Sequence, residues 1–346
     1  MSSNRGMTTT GTYDEALLRF HNTGPEFDGY LSNHGPMVVE VLSRRCHDDM
    51  VEGWTNRYLK RLDDLPRRKW PITTGTWHEA LGRADRVSDW TEYFTQELDS
   101  QPWRDVLVRW WPRLLPGIAA GATHGVIRLG HVVNALNEVE SAPRIAELGH
   151  ALGYWASRWQ PAPSLTPRGT RSPSDIFADL PRVASQQGGI RDRLRQLETT
   201  TGWAKSASTL SLPEEDVDLP YALDQIVDAA VGGYARYAEG NPTMLVHAAT
   251  APNAVAMVLP HLPQEFWRAS VIAGWSASAA VISSYAPKVA ADPDPADVPA
   301  PEALAQALHH GGEHVIKFTD TALRSNNRTS DGLSLTAITI AITLDA

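Results

Sequence analysis

Apolar residues recur at helical spacing along most of this sequence, and that periodicity restricts the fold more than any other feature. A stripe of this kind is typical of a helix with one buried face. The pattern predicts a mainly α fold, and 346 residues suit a single large multi-helix domain. One such stripe comprises Val51, Trp54, Tyr58 and Leu62.

Local signals predict where individual helices begin. Thr12 and Glu15 have the spacing of a capping box at the start of YDEALLRF. Pro36 suits the first turn of the next helix, which places His34 at its entrance. The apolar segment GIAAGATHGVIRLGHVVNAL predicts a central, buried helix. Further helices are predicted at about 48–62, 88–98, 106–115, 175–186, 189–199, 219–239, 243–259, 264–285 and 301–324.

Two proline-rich stretches and the C-terminal residues depart from this pattern. Residues 160–175 and 287–303 predict long surface loops, because proline interrupts helices and central strands. The end of the chain, LSLTAITIAITLDA, alternates isoleucine with small or hydroxylated residues, which favours a short C-terminal strand. We divide the chain into a loosely ordered N-terminus (1–12), a helical domain (13–324) and a C-terminal segment of unclear role (325–346).

Composition and missing motifs exclude several functional classes. The formal charge is -9 and no basic run is present, which argues against a nucleic-acid partner. Cys46 is the only cysteine, so neither an internal disulfide nor a cysteine metal cluster is possible. No phosphate-binding loop or GxSxG motif occurs. The N-terminus lacks a signal core and the apolar runs look too short to cross a bilayer, so we expect a soluble, cytoplasmic protein with no membrane partner.

Four of the 12 histidines stand among small or aliphatic neighbours, which indicates burial. A single buried histidine is ordinarily paired with a backbone carbonyl. Four of them would need eight hydrogen-bond partners, whereas one shared metal would satisfy four nitrogens. The candidate ligands are His34, His124, His247 and His314. The histidines in polar or loop-edge contexts, for which we expect surface or structural roles, are His21, His47, His78, His150 and His261.

Lys317 follows His314 by three residues and therefore lies about 60 degrees around the same helix, so both side chains can reach one point. In the simpler interpretation Lys317 extends to solvent or pairs with Asp320 or Glu313. A buried, neutral lysine would instead be nucleophilic, and its carbamate with carbon dioxide would offer an oxygen ligand. The residues alone leave both interpretations open.

Other polar residues share helices with the candidate ligands. His131 returns to nearly the same helix face as His124, and we favour a role in orienting a ligand or facing a substrate. Arg128 either stabilises a substrate phenolate or carboxylate, or forms a surface salt bridge. His310 is a reserve ligand, although neighbouring glycines weaken helix there. Tyr154 either lines an aromatic pocket or packs in the core.

Five ordered motifs together resemble the questin oxidase-like family, which includes fungal oxidases of anthraquinone and aflatoxin-type pathways and bacterial relatives. They are LSNHGPMVVEVL, THGVIRLGHVVNAL, ELGHALGYWASRWQ, GNPTMLVHAATAPNAV and EHVIKFTDTAL, and the similarity extends over about residues 13–324. The resemblance implies a mainly helical fold and a mononuclear non-heme Fe(II) centre held by four histidines and a carboxylated lysine. The matching positions are His34, His124, His247, His314 and Lys317.

The resemblance also implies an activity. We expect a non-heme iron oxygenase that uses dioxygen on an aromatic, anthraquinone-like polyketide, by Baeyer-Villiger-like oxygenation or oxidative ring cleavage. NADPH is the candidate external reductant, although the sequence has no motif for binding it. Arg128 and His131 stand where fungal members carry histidine and tyrosine, which implies a different pocket wall. The alternatives are a polyketide-binding or cyclase-like accessory protein without redox chemistry, and a metal-dependent hydrolase.

Overall fold

The computed structural model describes residues 9–329 and 332–345 and is mainly α-helical, which confirms the predicted fold class. The contacts of the chain divide it into two compact units. Unit 1 comprises residues 1–114 and 124–159, and unit 2 comprises residues 115–123 and 160–346. The candidate ligands are distributed over both units, so each unit is described by itself.

Unit 1 is a helical layer structure around an aromatic core. Trp110 contacts Trp90 and Phe94 with ring centroids 5.6 and 4.9 Å apart, while Trp111 packs on Trp155. The short strands β1 (Glu26–Phe27) and β2 (Leu31–Ser32) form an antiparallel hairpin. The helices of this unit are α1 (Thr9–Phe20), α2 (Gly35–Arg44), α3 (Asp48–Tyr58), α4 (Trp77–Ala80), α5 (Val87–Ser100), α6 (Trp103–Leu114), α7 (His124–Glu138) and α8 (Ala142–Ser157).

Glycines allow the helices of unit 1 to pack closely next to two candidate ligands. A Cβ atom at Gly35 would lie 2.4 Å from Cε1 of Phe20, so α2 can approach α1 only with glycine there. A Cβ atom at Gly125 would lie 2.8 Å from Cγ of Trp155, which imposes the same condition on α7 and α8. Each glycine directly follows a candidate ligand in the sequence, so tight packing fixes the backbone beside that ligand.

Unit 2 is built around its helix Leu219–Tyr237, which packs against the helices Pro173–Asp179, His247–Val258, Trp267–Tyr285, Glu313–Thr329 and Leu333–Thr343. Residues 160–172 and 286–299 contain no helix, as predicted for most of the two proline-rich loops. The last residues of each predicted loop, 173–175 and 300–303, are helical, because proline is tolerated in the first turn of a helix. The helices of this unit are α9 (Pro173–Asp179), α10 (Ile190–Leu197), α11 (Trp203–Ala207), α12 (Leu219–Tyr237), α13 (Pro242–Leu245), α14 (His247–Val258), α15 (Trp267–Tyr285), α16 (Ala300–His310), α17 (Glu313–Thr329) and α18 (Leu333–Thr343).

Several predicted helix boundaries are wrong. Helix α1 begins at Thr9, so Thr12 lies inside it and does not form a capping box, and residues 9–12 are helical; residues 1–8 of the predicted N-terminus lie outside the described residues. The predicted central helix begins only at His124, because three consecutive residues before it have positive φ angles of 53°, 55° and 70°. The single helix predicted over 301–324 is in fact α16 and α17, because Gly311 ends α16 with φ +79°.

The predicted C-terminal strand is also wrong, because this segment forms α18. The alternation of isoleucines did not reveal which residues are buried. Five residues of α18 are buried. Ser334, Ala337, Ile338 and Ala341 have i, i+3, i+4, i+7 spacing, which is helical, and the fifth is Thr336. Helix α8 was not predicted; Ser141 accepts a hydrogen bond from the main-chain N–H of Arg144 at its start.

Within residues 9–329 and 332–345, one helical segment is long and apolar enough to cross a bilayer, contrary to our expectation. It spans Pro242–His261, and 78% of its apolar window is buried. Such burial is typical of a core helix, and α14 makes extensive contacts with α12 and α15 within unit 2.

Candidate metal centre

Each of the four candidate histidines lies at the start of a helix. His34 immediately precedes α2, and His124 and His247 are the first residues of α7 and α14. His314 is the second residue of α17. The positive end of a helix dipole disfavours the imidazolium form, and a metal ligand must be a neutral imidazole. The helix starts at His34, His124 and His314 therefore suit the form that metal binding requires. His247 instead follows α13 with only Val246 between them, and burial favours its neutral form.

Unit 1 brings His34 and His124 together. Both side chains are buried, at 3% and 6% exposure, and their Nε2 atoms lie 2.7 Å apart. The rings are nearly perpendicular, with centroids 4.5 Å apart. The two histidines are 90 residues apart in the sequence, so the fold and not local spacing forms this pair.

The distance between these nitrogens suits two chemical arrangements. Adjacent nitrogen ligands at about 2.1 Å from an octahedral metal would lie roughly 3 Å apart. A direct hydrogen bond also fits 2.7 Å, but it requires one imidazole to carry its proton on Nε2. Metal binding requires both Nε2 atoms to be unprotonated, so the proton positions on His34 and His124 together decide between metal binding and a simple hydrogen bond.

Tyr58 is the polar partner of His34 that sequence reasoning missed. Its Oη accepts a hydrogen bond from the main-chain N–H of His34 at 2.8 Å and lies 3.2 Å from Nδ1 of the same residue. In the sequence Tyr58 belongs to an apolar stripe, and its ring does stack on Trp54, with centroids 4.6 Å apart. Helical spacing alone could not show that its hydroxyl reaches His34.

Unit 2 orients His247 through the main chain. Nδ1 of His247 donates to the carbonyl oxygen of Met244 at 3.1 Å, which leaves the proton off Nε2. The turn that supplies this carbonyl follows Asn241, whose side chain accepts from the main-chain N–H of Met244 at 2.8 Å. Burial, followed by the nearby charge of Lys317, lowers the pKa of His247 to about 3. This imidazole is therefore neutral at ordinary pH.

His314 and Lys317 belong to the same unit as His247. The ring centroids of His247 and His314 are 5.3 Å apart. His314 was expected to be buried, but it is only half-buried. Lys317 is 1% exposed, and no carboxylate in residues 9–329 or 332–345 forms a salt bridge with it. Burial lowers its pKa to about 7, against an opposing effect of Glu313. The pairing of Lys317 with Asp320 or Glu313 that we considered does not occur.

Arg128 lies in a buried ionic cluster of unit 1. It binds Glu147 through two hydrogen bonds of 2.6 and 2.8 Å, and His21 contacts the same carboxylate at 2.9 Å. The ring of His150 stacks on His21, with centroids 4.3 Å apart. Arg128 therefore forms an ion pair, as in one of the two interpretations of the sequence, but the pair is buried and not on the surface.

His131 and Tyr154 each have a carboxylate neighbour in unit 1. Nδ1 of His131 lies 2.7 Å from Oε2 of Glu40, which suits a histidine held in one orientation. Tyr154 is buried, contacts Ser32 through its hydroxyl at 2.6 Å and donates to Glu26 at 3.4 Å. Burial raises the pKa of the Tyr154 hydroxyl, so it remains a proton donor.

The reserve ligand His310 is held by other partners. It ends α16, on a different helix from His314. Its Nδ1 accepts from the main-chain N–H of Gly312 at 3.2 Å, and its Nε2 lies 3.1 Å from Asp345. Both ring nitrogens are thus occupied, which does not favour a role as ligand.

A pocket of about 610 Å³ lies on unit 2 among α9, α12, α17 and α18. Its lining includes Tyr221, Asp224, Arg236 and Arg328. None of the predicted site residues within the described chain lines it. The candidate ligands therefore do not contribute to this surface pocket.

A comparison with protein families identifies the chain more closely. A family model described as questin oxidase-like matches residues 45–322, well over half of the chain. His124, His247, His314 and Lys317 lie within the matched residues, whereas His34 precedes them. No curated protein matches the sequence. The family is named for an oxidase, which indicates an oxidoreductase. The chain therefore belongs to the questin oxidase-like family.

Proposed function

We propose that this protein is a mononuclear non-heme iron oxygenase that acts on an aromatic, anthraquinone-like polyketide. The observation that carries the metal proposal is the pair of Nε2 atoms of His34 and His124, which face each other 2.7 Å apart in a buried environment. The name of the family supports oxidation of a polyketide substrate. The proposed reaction is Baeyer-Villiger-like oxygenation beside a ring ketone, or oxidative cleavage of the ring.

The proposed ligand set is His34, His124, His247, His314 and carboxylated Lys317. The donor chemistry of each unit fits iron(II). Unit 1 offers two buried imidazoles, and unit 2 offers His247, with Nδ1 held by a carbonyl, together with the buried Lys317. Imidazole nitrogens together with a carbamate oxygen form the mixed shell that suits this metal. Carboxylation would also replace a buried cation by an anion that the metal charge balances.

Bound iron would supply the one-electron chemistry that dioxygen requires. Insertion of one oxygen atom and reduction of the other to water would take two electrons from an external reductant such as NADPH. The chain itself would contribute orientation. Tyr154 stays protonated and would donate a hydrogen bond to a ring oxygen in place of its long contact with Glu26, while Glu40 holds His131 in a fixed orientation. Glu147 neutralises Arg128, so any contact of Arg128 with a phenolate would use the part of the guanidinium that Glu147 leaves open.

Elemental analysis of protein purified without oxygen tests the proposal. We expect about one iron per chain in the wild type, and a parallel loss of iron and oxygen consumption in His314→Ala and Lys317→Ala. The exposed His78 provides a control, since His78→Ala removes an imidazole that lies outside the proposed ligand set.

Three other outcomes would contradict the proposal. Unchanged iron in both variants would exclude His314 and Lys317 as ligands. Zinc in place of iron, without oxygen consumption, would favour a metal-dependent hydrolase. A metal-free protein that binds aromatic polyketides would favour an accessory binding or cyclase-like role.

A further inference from the structure

We infer that Tyr58 is a positioning residue that holds His34 with its proton on Nδ1 and its Nε2 lone pair directed at His124. This inference rests on the proposed metal site. It adds a residue from α3 that acts on the site through His34 and would not touch the metal itself. Tyr58 lies within the residues matched by the family model, although His34 does not.

The geometry around the Tyr58 hydroxyl carries the inference. The oxygen accepts the main-chain N–H of His34 at 2.8 Å, and it lies 3.2 Å from Nδ1 of the same residue. A phenol oxygen has two lone pairs and one proton, so it can accept from the main chain and either accept from Nδ1–H or donate to Nδ1. A metal bound at Nε2 selects the first arrangement, because it requires that nitrogen to be unprotonated. Two contacts from one oxygen fix both the backbone at the entrance to α2 and the rotation of the imidazole. On the other side of that ring, Nε2 is 2.7 Å from Nε2 of His124.

The Tyr58 ring is itself immobilised by its neighbours. It stacks on Trp54 with an interplanar angle of 17°, and the edges of Phe20 and Phe27 meet it at 76° and 81°. The guanidinium of Arg61 lies 5.2 Å from the ring centroid. A hydroxyl held this firmly loses little freedom when it orients His34. Outer hydrogen bonds to a ligand histidine typically change metal affinity by about 10- to 100-fold.

Tyr58→Phe removes only the hydroxyl and is the direct test. We expect it to weaken Fe(II) binding by about 10- to 100-fold, with a metal-free melting temperature close to that of the wild type. Tyr285→Phe is the matched control, because Tyr285 is also a buried tyrosine but packs under Arg193 in unit 2. An equal loss of affinity in both variants, or none in Tyr58→Phe, would overturn the inference.

A second measurement separates this inference from the proposed metal site. In metal-free protein with ¹⁵N-labelled histidine, NMR should show Nδ1 of His34 protonated and Nε2 unprotonated. In Tyr58→Phe the Nε2-protonated form should increase at the expense of the other. Protonation of Nε2 in the wild type would refute the role of Tyr58 even if iron binds. A wild type that binds no metal but shows the expected tautomer would refute the proposed function and leave the role of Tyr58 intact.

Discussion

Two buried basic side chains, one in each unit, differ in whether a carboxylate pairs with them. Arg128 in unit 1 is 4% exposed and forms two hydrogen bonds with Glu147. Lys317 in unit 2 is 1% exposed, and no salt bridge to it exists among the described residues. An unpaired buried ammonium is costly, whereas a paired guanidinium is compensated. Arg128 therefore belongs to the framework of unit 1, while burial of Lys317 favours a neutral amine or a carbamate.

Breaking the pair in unit 1 should produce the largest loss of stability. Glu147→Gln leaves Arg128 buried without a counter-ion, which typically costs about 3–5 kcal/mol of unfolding free energy. Denaturant titration followed by circular dichroism would measure it. Glu140→Gln is the control, because Glu140 pairs with Arg104 at the surface and its loss should leave stability almost unchanged. Equal behaviour of the two variants would show that burial of the pair is irrelevant.

Acid should weaken the same cluster over two pH ranges that overlap only below about pH 4.5. Although burial alone would raise it, Arg128 and then His21 hold the pKa of Glu147 at about 2, below the usual 4.5. The contribution of ionised Glu147 to the free energy of unfolding is therefore present above pH 4.5 and lost as the pH falls toward 2. Burial and then His21 lower the pKa of His150 from 6.5 to about 3, so the unfolded chain takes up this proton first. Stability should therefore decline from pH 6.5 downward.

His150→Gln distinguishes the two groups. It should remove the decline between about pH 6.5 and 4.5, which can reach about 3 kcal/mol for one group over two pH units. The decline below about pH 4.5 that comes from Glu147 should remain. Denaturant titrations at several pH values would measure both, and identical slopes in variant and wild type over the upper range would contradict the role of His150.

The sequence predicted the fold class well, because amphipathic periodicity reports burial on one helix face. It failed where the backbone conformation overrides side-chain pattern. Positive φ angles before His124 delay the start of α7, and Gly311 separates two helices that look continuous. In the C-terminal helix, contacts with α12, α16 and α17 determine the buried face, and the alternation of isoleucines does not report it.

For the candidate site, the burial of the histidines could be predicted from the sequence, but the residues that orient them could not. Neighbouring small residues indicated that His34 and His124 are buried, and the structure pairs them. The partners that orient these residues could not be predicted, because they come from distant parts of the chain. Glu147 approaches Arg128 from α8, and Tyr58 approaches His34 from α3. Nothing in one sequence distinguishes such a hydroxyl or carboxylate from its neighbours on the same helix.

Close packing beside His124 should produce an intermediate effect. Gly125→Ala would place a Cβ atom 2.8 Å from Trp155, and overpacking of this kind typically costs about 1–3 kcal/mol. Gly233→Ala on α12 is the control, because its nearest neighbours would be 3.9 Å away and alanine favours helix by up to about 1 kcal/mol. Thermal unfolding would compare the two variants. A destabilised Gly233→Ala together with an unaffected Gly125→Ala would contradict the claim that close packing at Gly125 excludes a larger side chain.

The smallest expected change in stability is at Lys317, and it decides what the comparison of the two cations means. Lys317→Met keeps the length and apolar stem of the side chain but removes the amine. Because no described residue forms a salt bridge with Lys317, the substitution leaves no buried carboxylate without its partner. We expect the unfolding free energy of the metal-free protein to change by less than about 1.5 kcal/mol, in contrast to Glu147→Gln. Iron binding, however, should be lost. Incubation of the wild type with ¹³C-bicarbonate should give a carbamate resonance that Lys317→Met lacks. A large loss of stability in Lys317→Met without a change in iron content would make Lys317 a structural residue like Arg128, because its amine would then stabilise the fold and not the metal.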